Sequence, residues 1–280
     1  APDLFLAEPV GSCTDLVATV SYPLRRIYGD RFSVAPFSVV VDPARAARIF
    51  GLIPGGHFSE KVIYVYRKQL EEADLIVVNK CDSSSPEMLE RVVLAINEAF
   101  PQAKTFVCSA KHGTNLESWF ESLLSEEAPA SRSLEINYDT YAEGEALLGW
   151  LNCTVSLKTD QPFDGNRTLL ALVDDIRNRV VNQGGCIAHL KTTLDSQDGS
   201  GTLSVVSLVD NNDEPDLRES LLDYVDGGSL VINLRAEAEP VMLETVTRDA
   251  IAALSSIDAT IEHLEQFKPG RPIPTHRMTL

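Results

Sequence analysis

Asn79-Lys80-Cys81-Asp82 follows directly on the largely apolar run Ala73-Asp74-Leu75-Ile76-Val77-Val78. These residue types suit one kind of chemistry. A carboxylate such as that of Asp82 can accept two parallel hydrogen bonds from adjacent N–H donors, a charge-assisted bidentate contact. Guanine presents such a pair at N1–H and its 2-amino group, and adenine does not. A polar group buried without a partner costs on the order of 1–3 kcal/mol, and more when charged, so a residue that admits guanine also rejects adenine. The Lys80 stem can cover a base, and the Asn79 amide can tie neighbouring loops together. Taken alone, the tetrad reads equally as a buried strand running out into a polar loop.

Two further segments keep it company. Lys104-Thr105-Phe106-Val107-Cys108 reads as another short strand and runs straight into Ser109-Ala110-Lys111. Upstream, Leu4-Phe5-Leu6-Ala7 reads as an apolar strand ending in Glu8-Pro9-Val10-Gly11. A carboxylate at Glu8 can reach a Mg²⁺-bound water, and a glycine at position 11 lets backbone approach a terminal phosphate. Each motif sits at the carboxyl end of a strand, where ligands bind in open α/β sheets.

Together these pieces resemble the metal-trafficking family of P-loop GTPases whose third motif begins with Glu. Within it, residues 73–82 preceded by Gln69, and Phe37-Ser38-Val39-Val40-Val41-Asp42, look like the cobalamin-synthesis (CobW-like) branch. The similarity is specific over residues 3–124 and vaguer beyond. It implies that Asn79, Lys80 and Asp82 fix guanine and that the Ser109-Ala110-Lys111 turn sets the Ala110 N–H against guanine O6. It implies that Glu8 and Gly11 sense Mg²⁺ and the γ-phosphate. It further implies a GTP-hydrolysing metallochaperone that binds GTP and Mg²⁺ and delivers a transition metal such as Zn or Co to a client metalloprotein. A GTPase of hydrogenase, urease or mutase maturation is the near alternative. A non-hydrolysing module that binds a client protein is the distant one.

The sequence departs from the family in one important respect. Nowhere in its 280 residues is there a G-x-x-x-x-G-K-S/T phosphate loop, and the pairs Gly55-Gly56, Gly184-Gly185 and Gly227-Gly228 lack the Lys-Ser/Thr that should follow. The family's C-x-C-C metal motif is absent too. In the family both lie ahead of the E-x-x-G strand, and only seven residues precede Glu8 here. The expectation is a fragment lacking the first part of its GTPase domain, which by itself does not hydrolyse GTP.

Composition sets outer bounds. A net charge of −17 argues against a nucleic-acid partner, which needs clustered cations. No apolar run approaches the roughly 18 residues of a membrane span. The five cysteines (13, 81, 108, 153, 186) are scattered and no secretory signal is visible, which suggests the reducing cytoplasm.

The elements that must position these residues follow from periodicity. The fold class expected is α/β: a partial P-loop-type parallel sheet with helices, followed by an α+β ferredoxin-like domain. A helix over 15–28, a strand over 37–41, a helix over 43–50 and apolar spacing through 58–73 lead to the strand at 75–78. Ser85-Pro86 opens a helix with Leu89, Val92, Val93 and Ile96 on one face, and a strand at 105–108 and a helix over 115–124 complete this half. The polar, proline-bearing stretch 125–131 marks a boundary between domains 1–130 and 131–280. Beyond it, alternation at Cys153, Val155 and Leu157, a helix through Leu169–Val180, a hairpin of 186–194 and 202–209, a short helix over 215–224 and a strand at 230–234 spell β-α-β-β-α-β. A long helix carrying Val246, Ala250, Leu254, Ile257, Ile261 and Leu264 closes the domain, and the tail is irregular.

Other residues invite weaker readings. Asp42, before Pro43, suits a helix cap better than a metal ligand. His112 follows Lys111 in the base turn. Cys13 lies behind Gly11, but a lone thiol is an incomplete metal site.

Overall fold

A computed structural model of the chain describes residues 3–31, 33–54, 58–125 and 135–278. Gly55-Gly56 and the boundary stretch 126–131 therefore lie outside the described residues. The chain packs as two units, one of Ala1–Tyr141 with Pro272–Leu280, the other of Ala142–Arg271. The fold is α/β: a three-stranded parallel sheet with helices, then a six-stranded antiparallel sheet with helices.

In the first unit a π-helical turn (Val17–Ser21) leads into α1 (Tyr22–Tyr28). There follow β1 (Ser38–Val41), α2 (Pro43–Ile49), α3 (Glu60–Glu72), β2 (Leu75–Val78), α4 (Pro86–Ala99), β3 (Lys104–Val107) and α5 (Leu116–Ser125). β2 lies between β1 and β3, parallel to both, and all four of its side chains are buried. A continuous Leu-Ile-Val-Val run suits a central parallel strand covered on both faces. Ile76 and Val78 pack with Ala46 and Ala47 of α2, Leu70 of α3, and Val92 and Ile96 of α4. Val41, Val78 and Val107 stand in register, so all three strands end in one row.

The expected strand at 4–7 does not form. Leu4, Phe5 and Leu6 are 63%, 66% and 89% exposed, and the sheet order is β1-β2-β3 with no place taken by this segment. Apolar composition alone cannot make a strand, because its backbone groups need a neighbour to pair with.

Polar pairs fasten the residues that come next. Asp15, 1% exposed and in the left-handed region at φ 64°, accepts hydrogen bonds from Tyr138 Oη and, at 2.7 Å, from Arg277 Nε. Glu72, in the last turn of α3, accepts from the Val17 N–H at 3.2 Å and from Thr14 Oγ at 3.4 Å. Burial, and after it the Asp15 charge, pushes the Glu72 carboxyl up to about 7, although the Val17 N–H works the other way.

The second unit is entered through α6 (Tyr138–Leu147). It contains β4 (Leu148–Phe163), α7 (Gly165–Asn182), β5 (Cys186–Asp195), β6 (Leu203–Leu208), β7 (Asp216–Glu219), β8 (Val225–Glu237), α8 (Pro240–Ala252) and β9 (Asp258–Phe267). The order β7-β6-β5-β8-β4-β9 puts β8 between β4 and β5 and β9 on the far side of β4, while α8 packs into the same core as α7. That is the split βαβ, ferredoxin-like arrangement, with β6 and β7 widening one edge. Leu151, Cys153, Val155 and Leu157 of β4 face the same core as Leu230, Ile232 and Leu234 of β8 and Leu169, Val173, Ile176 and Val180 of α7. Gly228, at φ 145°, lies where a Cβ would come within 2.3 Å of the Asp195 carbonyl oxygen, so the β5–β8 crossing requires glycine there.

One expected helix is a strand, and another ends sooner than expected. Residues 215–224 supply β7, whose Leu217 pairs with Val206 and packs on the core. The open edge of β6 and a place to bury Leu217 outweigh the local helical tendency. The final helix stops at Ala252, and β9 takes Ile261 and Leu264, which the apolar spacing assigns to the helix face. The cause is a bulge. Ala259 and Ile261 oppose Leu157 and Val155, the register then slips by one residue, and Leu264 opposes Cys153. Inward positions at 261 and 264 thus carry the three-residue spacing of a helix while lying on a strand.

Glu72 gives a pH dependence with a definite sign. Its ordinary value is 4.5 and the folded value is about 7, so the native state binds the proton more tightly than the unfolded chain does. The associated stability is complete at low pH and is lost as pH rises through about 7. In urea titrations at about pH 5 and about pH 8, the wild type is expected to lose roughly 2–3 kcal/mol more across the interval than Glu72→Gln. Identical losses would mean that the carboxyl ionises normally.

Candidate functional site

The common row of strand ends brings three loops to one edge. Asp42 follows β1, Asn79–Asp82 follow β2, and Cys108–Lys111 follow β3. The tetrad is stitched to both neighbours. The Asn79 N–H donates to the Val41 carbonyl at 3.0 Å, and the Cys81 N–H donates to the Cys108 carbonyl at 3.0 Å. Lys80 sits in the left-handed region at φ 59°, ψ 37°, and opens a 3₁₀ turn over Cys81–Ser83. This conformation is uncommon for a residue with a Cβ and costs on the order of 1 kcal/mol, so the flanking bonds must hold it.

Asn79 bridges to the β3 loop. Its Oδ1 accepts from the Ala110 N–H at 2.9 Å and lies 3.8 Å from Cys108 Sγ. A backbone N–H can only donate, so the Asn79 carbonyl oxygen must face β3. Ala110 was the donor expected to meet guanine O6. In this structure it already serves Asn79, and a base could engage it only by sharing or exchanging that bond.

Asp82 is exposed and faces the same loop. Ser109 Oγ donates to Asp82 Oδ1, and His112 Nε2 stands 3.7 Å from Asp82 Oδ2. The Ser109 hydroxyl first, and then the His112 and Lys111 charges, hold the Asp82 carboxyl below the usual carboxylate range. It is therefore an acceptor at neutral pH. Each carboxylate oxygen has two lone-pair sites, so Ser109 orients the group without exhausting it.

Lys80 reaches the other way. Its Nζ lies 2.8 Å from Asp42 Oδ2, while Asp42 Oδ1 accepts from the N–H groups of Ala44 and Arg45 at 3.0 and 3.1 Å. Asp42 is thus the helix cap expected from the sequence and also an ion-pair partner, which sequence analysis missed. Burial would raise the Asp42 carboxyl, but Lys80 and the Arg45 N–H outweigh it and leave it lowered. The only advance signal was that residue 42 ends a strand adjacent to the one carrying Lys80.

The structure brings Asn79, Lys80, Asp82, Ser109, Ala110 and Lys111 to this edge. It does not bring Gly11. The Gly11 carbonyl accepts from Gln69 Nε2 at 2.9 Å, as does the Cys13 carbonyl. Gln69 is in the last full turn of α3, which leads into the amino end of β2. Glu8 lies exposed in an irregular stretch. The physical cause is the unformed strand at 4–7, whose pairing would have aimed Glu8 and Gly11 along the sheet. Among the described residues no cluster of three or more His, Cys, Asp or Glu side chains could hold a metal ion. No helix of the described residues is long and apolar enough to cross a membrane.

No family model matches the sequence, and no curated protein matches it. Among solved structures, the chain is similar to a zinc-bound YjiA GTPase from E. coli, at 16% identity over 85% of this chain and 67% of that one, with a TM-score of 0.26. A zinc-bound triple mutant of YjiA GTPase stands at 15% identity, the same coverage and the same TM-score. A TM-score of 0.26 is too slight a likeness to bear on fold or chemistry.

The Ser109–Asp82 contact has a direct readout. Ser109→Ala removes the largest influence on Asp82, so its carboxyl should titrate at higher pH, toward the ordinary aspartate value, when followed by carbon NMR. An unchanged titration would show that Ser109 does not hold the carboxylate.

Proposed function

We propose that the carboxyl edge of the parallel sheet binds the base of a guanine nucleotide. The observation that supports this best is the pairing of an ionised, exposed Asp82, oriented by Ser109, with the Asn79–Ala110 bridge across the neighbouring loop. Asp82 would accept from N1–H and the 2-amino group, Ala110 would face O6, Lys80 would lay its stem along the base, and Ser109 and Lys111 would frame the turn. These groups fit a base.

They do not fit a triphosphate with its Mg²⁺. The sequence holds no G-x-x-x-x-G-K-S/T motif, and Gly11 is bonded at the amino end of β2. Specificity and turnover are therefore separate matters. In the finer form of the proposal the chain acts as a CobW-type GTPase that carries a transition metal to a client metalloprotein in the cytoplasm. GTP and Mg²⁺ would be its cofactors, and the groups for phosphoryl transfer would come from outside the residues placed at this edge. Maturation of hydrogenase, urease or a mutase is the same reading with another client.

Calorimetry on the purified chain with GDP, ADP and XDP tests the base assignment. GDP should bind at least ~100-fold better than ADP, because only guanine offers the Asp82 carboxylate the paired N1–H and 2-amino donors of a bidentate contact. Asp82→Asn should turn the preference toward XDP, since an amide donates to the 2-oxo group where a carboxylate repels it. Equal affinities for GDP and ADP in the wild type would remove the assignment.

A further inference from the structure

We infer that Asp42 is a positioning residue for the base site, one that draws the Lys80 ammonium away from Asp82 and leaves only the lysine stem beside the base. The inference rests on the guanine assignment above.

Three observations carry it. Asp42 is rigid: Pro43 follows it as the first residue of α2, and its Oδ1 is held by two backbone N–H groups, at 3.0 and 3.1 Å. Its remaining oxygen, Oδ2, takes the Lys80 ammonium at 2.8 Å, with both side chains largely covered. Finally, β1 lies on the opposite side of β2 from β3, so the pull on Lys80 is directed away from the Ser109–Ala110 turn. The lysine backbone shares the anchor, since the residue before it donates its N–H to Val41, the last residue of β1.

The alternative partner for that ammonium is close in sequence. Asp82 is two residues on in the same loop and is the exposed carboxylate a guanine would use. An ion pair between Lys80 and Asp82 would occupy the acceptor. By fixing Lys80 on a carboxylate that already caps a helix, the fold keeps the second carboxylate available. A capped helix start and an unmasked base acceptor thus depend on one side chain.

Asn caps a helix about as well as Asp, so Asp42→Asn keeps the start of α2 and deletes the charge partner. Lys80→Met keeps the stem and deletes the ammonium. The four proteins of this cycle are titrated with GDP by calorimetry, and the Asp82 carboxyl is followed by carbon NMR. Asp42→Asn should weaken GDP binding about fivefold, the scale of a partly exposed ion pair, and should move the Asp82 titration to lower pH as Lys80 turns to it. In the Lys80→Met background the same change should do nothing to either readout. Should Asp42→Asn unfold, Asp42→Ser supplies a second capping variant for the same cycle. Equal weakening in both backgrounds, or none in either, would mean that Asp42 acts only as a cap and would overturn the inference. A wild type that binds GDP no better than ADP would instead defeat the base assignment, and the inference with it.

Discussion

The site depends on the in-register parallel pairing of three short strands. Ser38, Leu75 and Lys104 begin together, and Val41, Val78 and Val107 end together. Four residues are few, so the register is fixed less by hydrogen-bond number than by burial. A slip of one residue would exchange the faces of Ile76 and Val78 with those of Leu75 and Val77, and the contacts to Ala46, Ala47, Val92 and Ile96 would be lost. Full burial of β2 is tolerated because both neighbours satisfy its backbone. Once the row of valines is fixed, the loops have no freedom about which edge they occupy, and Asn79, Asp82 and Ala110 can meet although they come from two strands.

What could be read in advance was what is encoded locally. The Leu-Ile-Val-Val run, the Ser85-Pro86 helix start and the Asp42-Pro43 cap each announce themselves within four residues, and each occurs within a residue of where the pattern puts it. The tetrad and the Ser109 turn are similarly compact. The Lys80–Asp42 pair joins residues 38 apart, and Arg277 meets Asp15 across 262. Such contacts leave no periodic trace. They arise only through the sheet order and the return of residues 272–278 to the first unit.

The second unit shows a different failure of local reading. Its helices α7 and α8 and the strands β4, β5, β6 and β8 were legible because their apolar spacing is regular. β7 and β9 were not, and for opposite reasons. β7 has one inward apolar residue, Leu217, which no alternation can signal. β9 has enough apolar residues, but the bulge after Ile261 spaces them as a helix would. The β-α-β-β-α-β pattern survives because α8 takes the place that the supposed helix at 215–224 would have filled, with β9 as the last strand.

Gly11 and the Asn79–Asp82 tetrad are held toward opposite ends of β2, and the bonds around Gly11 explain why it stays there. Four residues of strand span about 13 Å. Gly11 and Cys13 are bonded to Gln69, Thr14 and Val17 to Glu72, and Asp15 to Tyr138 and Arg277. Asp15 is the costly member, since a carboxylate almost wholly removed from water cannot lose its cationic partner cheaply. Carrying Gly11 to the carboxyl edge would mean releasing that ion pair, and with it the Met278 N–H that donates to the Ala18 carbonyl. Ionisation of Glu72 as pH rises through about 7 costs stability at one of the same anchors, so the fastening is firm at Asp15 and pH-dependent at Glu72. The edge that carries Asn79, Asp82 and Ala110 is held by other bonds, from Asn79 to Val41 and Ala110 and from Cys81 to Cys108.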